Sequence, residues 1–495
     1  MAGFAKNQTW QTASVEPPIY APITNYDNKG VDQPAKIRDP FFLFLFIAML
    51  ISYVVTSAMY SGEVDYSGGD GGEGGGSSRA AGWISIGLIQ VCVAVLLSLS
   101  SLGFMISYAG ILIQATLIGS VVATFLASGI FFAEGFMGGG VIWLIFALVS
   151  ACYAYMVWSR IPFAAATLKT GLSAVRSNLG LTAVAVGSLL VASVWTTWWL
   201  TNYLGIAQHL GGGDEDNAQK VDGGIVFLLL ICFYWGHQVI SNIVHVSVAG
   251  TVGTWWFEPA VASSCCSPAV SGSLRRATTT SLGSICFGSL IVAIVSAMRA
   301  MIEQARYSDE SIIICIADCL MGIIEAIVEY FNRWAFIYVG LYGYSFMEAG
   351  QNVMTLFKAR GWTMIITDDL VSNVLTFMAL SIGAVTGGIG MIAYKINPNW
   401  FNADGGDDSG IMWLVFILGL IIGFALSSIM LNVVQSAVDT TIVCFAEAPV
   451  DLQTNHPRHF EELNRVWQKL YPTLWRGGDG GKTGGRGDEE EGGGR

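Results

Sequence analysis

The chain has 495 residues, 53% of them hydrophobic and only 12% charged, and its mean hydropathy is +0.57. This excludes an ordinary soluble globular protein, in which about a quarter of the residues are charged. The net charge of −12 argues against nucleic acid as a partner, because a phosphate backbone calls for a basic stripe.

Residues 1–40 are polar, carry Pro17, Pro18, Pro22 and Pro34, and read as a cytosolic, largely disordered tail. They lack the charged, apolar, small-residue order of a cleaved signal peptide. A membrane span takes roughly 20 apolar residues. Runs of that kind occur at 41–60, 82–103, 106–132, 138–158, 181–204, 223–253, 282–301, 367–394 and 411–432. One further crossing falls within 311–357, where 311–331 and 334–357 compete. In the first of these, Asp318, Glu325 and Glu329 are spaced by seven and four, so they share one helical face. That pattern suits an amphipathic helix lying on the membrane surface, or a carboxylate stripe lining an ion path. We take the surface reading, which makes 334–357 the eighth of about ten spans.

The loops set the orientation. Lys29, Lys36 and Arg38 precede the first span, Arg160, Lys169 and Arg176 lie between the fourth and fifth, and Arg275 and Arg276 precede the seventh. Loops 61–80, 205–222 and 395–410 are acidic, with Glu63, Asp65, Asp214, Glu215, Asp404 and Asp407 among their residues. Basic loops stay inside, so an all-α bundle of ten spans puts both termini in the cytosol. The membrane domain is then 41–450, and 451–495 is a cytosolic tail, Gly-rich and disordered from about 477. The nine cysteines avoid the outer loops and make no disulfide framework. Their spacing suggests no metal site, and no cofactor is expected. Cys265 and Cys266, adjacent in a cytosolic loop, are candidates for palmitoylation.

Polar residues inside spans are costly, which makes them candidates for function. Trp235, Gln238, Asn242, His245 and Ala249 are spaced by three, four, three and four, and form one stripe. Such a stripe is either hydrogen-bond glue between helices or the wall of a substrate path. A second group is Tyr342, Tyr344 and Glu348. A carboxylate beside tyrosines suits a small organic cation, because aromatic faces attract quaternary ammonium. The alternative places Glu348 at the interface near Lys358 and Arg360. Trp235, Asn242, His245, Tyr342 and Glu348 are expected to line one cavity near mid-membrane. Asp368 and Asp369 suit a helix N-terminus. The GxxxG patterns Gly383/Gly387 and Gly419/Gly423 suit close helix packing. No convergent set of nucleophile, acid and base suggests an enzyme.

Four stretches carry a resemblance. They are WGHQVISNIVHVSVAGTVGTWWF (235–257), SLGSICFGSLIVAIV (281–295), NRWAFIYVGLYGYSFMEAGQNVMTL (332–356) and VDTTIVCFAE (438–447). In this order they resemble the choline transporter-like family of solute carriers, over roughly residues 81–450. The short, Gly-rich first outer loop is more similar to the fungal and protist branch than to animal members. Ala448 stands where many members have Asp. The resemblance implies about ten spans, a plasma or organelle membrane, and secondary transport or facilitated movement of choline or a related small organic cation without ATP hydrolysis. The readings from other classes are a channel for another small solute and a non-transporting membrane scaffold.

Overall fold

A computed structural model describes residues 30, 32–60, 76–210, 223–264, 267–308, 312–360, 366–396 and 408–470. The acidic segments 61–75, 211–222 and 397–407, the Cys265–Cys266 pair and the tail from 471 lie outside the described residues, as do the side chains of Asp368 and Asp369. In chain order the helices are α1 (Pro40–Tyr60), α2 (Gly76–Ala133), α3 (Met137–Val157), α4 (Ile161–Ser177), α5 (Gly180–Leu210), α6 (Gly223–Phe257) and α7 (Pro268–Thr278). They continue with α8 (Leu282–Ser308), α9 (Ile312–Tyr342), α10 (Phe346–Arg360), α11 (Ile366–Ile396), α12 (Asp408–Glu447), α13 (Pro449–Asn455) and α14 (Pro457–Leu470).

Eight of these, α1, α2, α3, α5, α6, α8, α11 and α12, contain stretches long and apolar enough to cross a membrane. Their outward faces are bare: Phe44 is 70% exposed, Leu96 67% and Val194 68%. Only a lipid surround completes their burial, so this is an integral membrane protein. Helix α2 holds two of the predicted spans, 82–103 and 106–132. Its backbone leaves helical geometry at Tyr108 (φ −122°, ψ 18°), just inside the start of the second. The 49 apolar residues of Ser85–Ala133 would otherwise run about 74 Å, more than twice the hydrocarbon thickness.

Three expectations are corrected. First, 334–357 is not one span. The stretch 311–331 does not stop short of it but runs on into 332–342 as the single helix α9. Gly343 then turns to φ +74°, a left-handed helix end that glycine takes without strain, and its N–H donates back to Val339 O at 3.0 Å. The carboxylate face of α9 pairs with α8. Arg306 holds Asp318 at 2.8 Å, and Arg299 holds Glu325 at 2.5 Å. Second, the "loop" carrying Lys169 and Arg176 is the helix α4, whose Phe163, Leu168 and Leu172 are buried. A Cβ on Gly171 would stand 3.0 Å from Val438 N, so α4 lies directly on α12. Third, α12 does not end near 432 but continues, buried, to Glu447.

Small residues set the closest crossings. A Cβ on Gly340 of α9 would stand 2.7 Å from Val246 O of α6, and one on Gly250 would stand 3.0 Å from Gly340 O. The GxxxG patterns of α11 and α12 face each other: a Cβ on Gly419 would stand 2.7 Å from Gly387 Cα, and one on Gly423 2.8 Å from Gly383 Cα. At the end where α6 and α12 finish, the C-terminal helices dock. Trp467 of α14 packs on Phe163 and Phe445, Lys169 pairs with Glu462 at 2.7 Å, and Asn455 caps α6 at Trp256 O, 2.8 Å away.

Candidate functional site

Helix α12 carries the densest polar seam. Between the apolar residues of its last four turns stand Asn432, Gln435, Ser436, Asp439 and Glu447. Asp439 is fully buried and Glu447 only 8% exposed. Charges at such depth need partners. Asp439 accepts from Gln435 Nε2 at 2.8 Å, and Arg333 of α9 stands 3.8 Å from its other oxygen. The guanidinium of Arg333 also lies 6.0 Å from the Tyr330 ring and 5.8 Å from that of Trp334. His245 of α6 closes the seam: Nε2 lies 3.0 Å from Arg333 O and Nδ1 2.6 Å from Ser436 Oγ. A carbonyl only accepts, so Nε2 carries the proton, and in the neutral ring Ser436 donates to Nδ1. One imidazole thus joins α6, α9 and α12. On the α11 side, Ser372, Thr376, Ser428, Asn432 and Gln435 line a small open cleft, which reaches the seam at Gln435.

Two turns further along α12 is an aromatic cup. Tyr338 donates to Glu447 Oε2 at 3.2 Å. Its ring centroid lies 5.4 Å from that of Tyr342 and 6.3 Å from that of Tyr344, which are 6.1 Å apart. Tyr342 also lies within electrostatic reach of Glu447, so two tyrosines flank one buried carboxylate and Tyr344 packs against both of their rings. The other carboxylate oxygen accepts from the backbone N–H of Gly30 at 2.6 Å.

The residues expected to line one cavity are dispersed. Trp235 is buried and donates to Cys286 O at 2.9 Å, and Asn242 donates to Ser289 Oγ at 2.9 Å. Both tie α6 to α8. Gln238 lies half-buried on the turn between them, and only His245 turns toward α9 and α12. Tyr342 and Tyr344 belong to the cup, but Glu348 does not. It is exposed, and its Oε2 accepts from Ser345 Oγ at 2.7 Å and Ser345 N at 3.3 Å. That is a capping box at the start of α10. The carboxylate beside the tyrosines is Glu447 instead. An S-x-x-E pattern after a glycine was a readable sign of Glu348's role. Glu447 was marked only as an acid closing an apolar run and the last residue of the stretch 438–447 that carries the family resemblance, neither of which gives it a partner. Among the described residues, no three His, Cys, Asp or Glu side chains are grouped to hold a metal.

Residues 141–450, more than half of the chain, match the family model described as plasma-membrane choline transporter. The chain belongs to the choline transporter-like family. Its relatives include Protein PNS1 of Mycosarcoma maydis, 29% identical over 467 residues, which cover 90% of this chain and 86% of that protein. Protein PNS1 of Cryptococcus neoformans is 28% identical over 483 residues, 92% of this chain and 87% of the relative, and that of Kluyveromyces lactis is 24% identical over 490 residues, 92% and 86%. These relatives are fungal. The stretch that matches the choline transporter-like family takes in His245, Arg333, Asp439, Glu447 and all three cup tyrosines. Helices α1, α2 and α14 lie outside it.

Proposed function

We propose that this protein is a secondary transporter or facilitator that moves choline or a related small organic cation across a membrane, with the plasma membrane as its first candidate. The observation that carries the reading is Glu447, a buried carboxylate flanked by Tyr338 and Tyr342, with Tyr344 packed beside their rings. A quaternary ammonium has no N–H to donate. It is held by ring faces and by a nearby negative charge, and this cup offers both. The seam of His245, Gln435, Asp439 and Arg333 lies along α12 between the cup and the α11–α12 cleft, and we assign it to the path. Trp235, Gln238 and Asn242 hold the α6–α8 side of that path in place.

Ten crossings follow if α2 counts as two, on either side of Tyr108, and α9 crosses beside α8 with its carboxylates paired. Residues 30–39 and α13–α14 then lie on the cytosolic side. A cation entering down a 100 mV potential gains about 2.3 kcal/mol, enough for an accumulation of roughly fiftyfold without a second ion.

Uptake of labelled choline into proteoliposomes with an imposed inside-negative potential tests the reading. Saturable, potential-stimulated uptake is expected, falling more than tenfold in Glu447→Gln and in Tyr342→Ala. Tyr342→Phe, which keeps the ring face, should stay within about twofold of the parent. Uptake no greater than in empty liposomes, from protein shown to be folded, overturns it.

A further inference from the structure

The first described residues, Gly30 and Asp32 to Asp39, were expected to be tail, yet they are bonded to the bundle at two places. The clamp is at Arg38 and Asp39. Arg38 N–H donates to Thr280 O at 2.9 Å, while Asp39 Oδ2 accepts from Ser284 Oγ at 2.6 Å and Phe346 N at 3.0 Å. The tip is at Gly30 and Gln33. Gly30 N–H donates to Glu447 Oε1 at 2.6 Å, and Gln33 N–H donates to Tyr342 O at 2.9 Å. Asp32 stands within electrostatic reach of Arg276. Between clamp and tip, Pro34 to Ile37 are exposed, with Ile37 58% exposed.

The tip resembles a ligand in its chemistry. A peptide N–H puts a partial positive charge on the same carboxylate oxygen that an ammonium ion would approach. Gly30 also lies so close over the Tyr342 ring that a Cβ at this position would overlap its carbons. Only glycine fits between that ring and Glu447. Backbone and cation therefore require the same space and the same oxygen.

We propose that Gly30 and residues 32–39 act as a tethered plug, and that Gly30 and a small ammonium ion compete for the cup formed by Glu447 and the tyrosines beside it. This rests on the cation reading of that cup. A tip on so short a tether has an effective concentration on the order of millimolar. The occupant is one neutral N–H, so an ion carrying full charge displaces it. The exposed stretch 34–37 lets the tip leave while Asp39 stays clamped. While the plug is seated, apparent affinity for the ion falls in proportion to the unplugged fraction.

The test uses the full-length protein in nanodiscs and tetramethylammonium as the probe. Hydrogen exchange across residues 30–39 is followed with tetramethylammonium and with sodium at equal ionic strength. Tetramethylammonium alone should speed exchange at Gly30 and Gln33 at least tenfold. Gly30→Val should show that fast exchange without ligand and bind labelled tetramethylammonium several-fold more tightly. Gln33→Pro, which removes the donor to Tyr342 O, should do the same by a separate route. Unchanged exchange with ligand bound, unchanged affinity in both variants, or no binding to either variant overturns the plug. Failure of the transport reading is distinguishable. If choline uptake is absent but tetramethylammonium releases the tip, transport falls and the plug stands. If uptake is present but the tip ignores the ion, the plug falls alone.

Discussion

The two halves of α9 settle their charges in opposite ways. From Ile313 to Glu329 the helix is two-faced: Ile313 is 77% exposed and Ile327 62%, while Asp318 and Glu325 turn to the arginines of α8. From Asn332 to Tyr342 nearly everything is buried, including Trp334, Phe336 and Tyr338. The first half settles its charge sideways, in pairs whose arginines stay more than 40% exposed. The second half encloses its polar groups, so Arg333 and Tyr338 meet Asp439 and Glu447 away from lipid. One helix thus holds one charged surface suited to position it and another suited to carry a ligand.

The comparison breaks if the enclosed charges turn out to matter no more than the paired ones. The largest effect should come from Arg333→Leu, which leaves Asp439 buried without its guanidinium. Breaking a buried pair costs about 3–5 kcal/mol, so thermal unfolding in detergent should drop by well over 5 °C. Adding Asp439→Asn should recover most of the loss, and failure of that rescue would mean the two residues are not coupled. Glu325→Gln in the first half should leave choline uptake within about twofold, against the more than tenfold loss in Glu447→Gln. Equal losses would erase the distinction between the halves. Arg299→Ala should lower the unfolding temperature by only about 3 °C, roughly what 1 kcal/mol shifts in a sizeable domain. The exchange Arg299→Glu with Glu325→Arg should restore it.

The smallest effect lies at the docked C-terminal helices. His456 stacks on Trp255 at 3.8 Å, with His459 beside it. Burial lowers the pKa of both below the usual histidine value, and for His459 the neighbouring His456 lowers it further. A histidine whose folded pKa is depressed keeps its full contribution above the unfolded value near 6.5 and loses it as pH falls below that. Hydrogen-exchange protection factors over 449–470, which remove the intrinsic pH dependence of exchange, should therefore fall modestly between pH 7.5 and pH 5.5. His459→Gln should flatten that dependence, and an unchanged profile would remove His459 from the docking.

Most of the lipid-facing architecture was legible, because length and hydropathy suffice for a helix whose surroundings are hydrocarbon. The paired glycines of α11 and α12 could be read for the same reason: only small residues allow such a crossing. What misled was charge. Lys169 and Arg176 made α4 read as a loop, although its alanines and Phe163 form a buried face. Asp318, Glu325 and Glu329 made the start of α9 read as a surface helix, because their partners Arg299 and Arg306 are on another helix. The stripe from Trp235 to His245 was visible as a stripe, but spacing within α6 cannot say that Trp235 and Asn242 face α8 while His245 faces α12. Glu447 was hidden because its tyrosines come from α9 and the segment just after it, more than a hundred residues earlier in the chain.

Asp39 has a mechanical consequence. Its backbone carbonyl accepts from Phe42 in the first turn of α1, while one of its side-chain oxygens accepts from Ser284 in the first turn of α8 and from the first N–H of α10. Three helix starts are riveted to one residue at the foot of the segment that reaches Glu447. These helices cannot tilt independently without shearing a charge-assisted bond. Any rocking of the bundle that moves one of them drags the other two, and pulls on the leash of Gly30 at the same stroke.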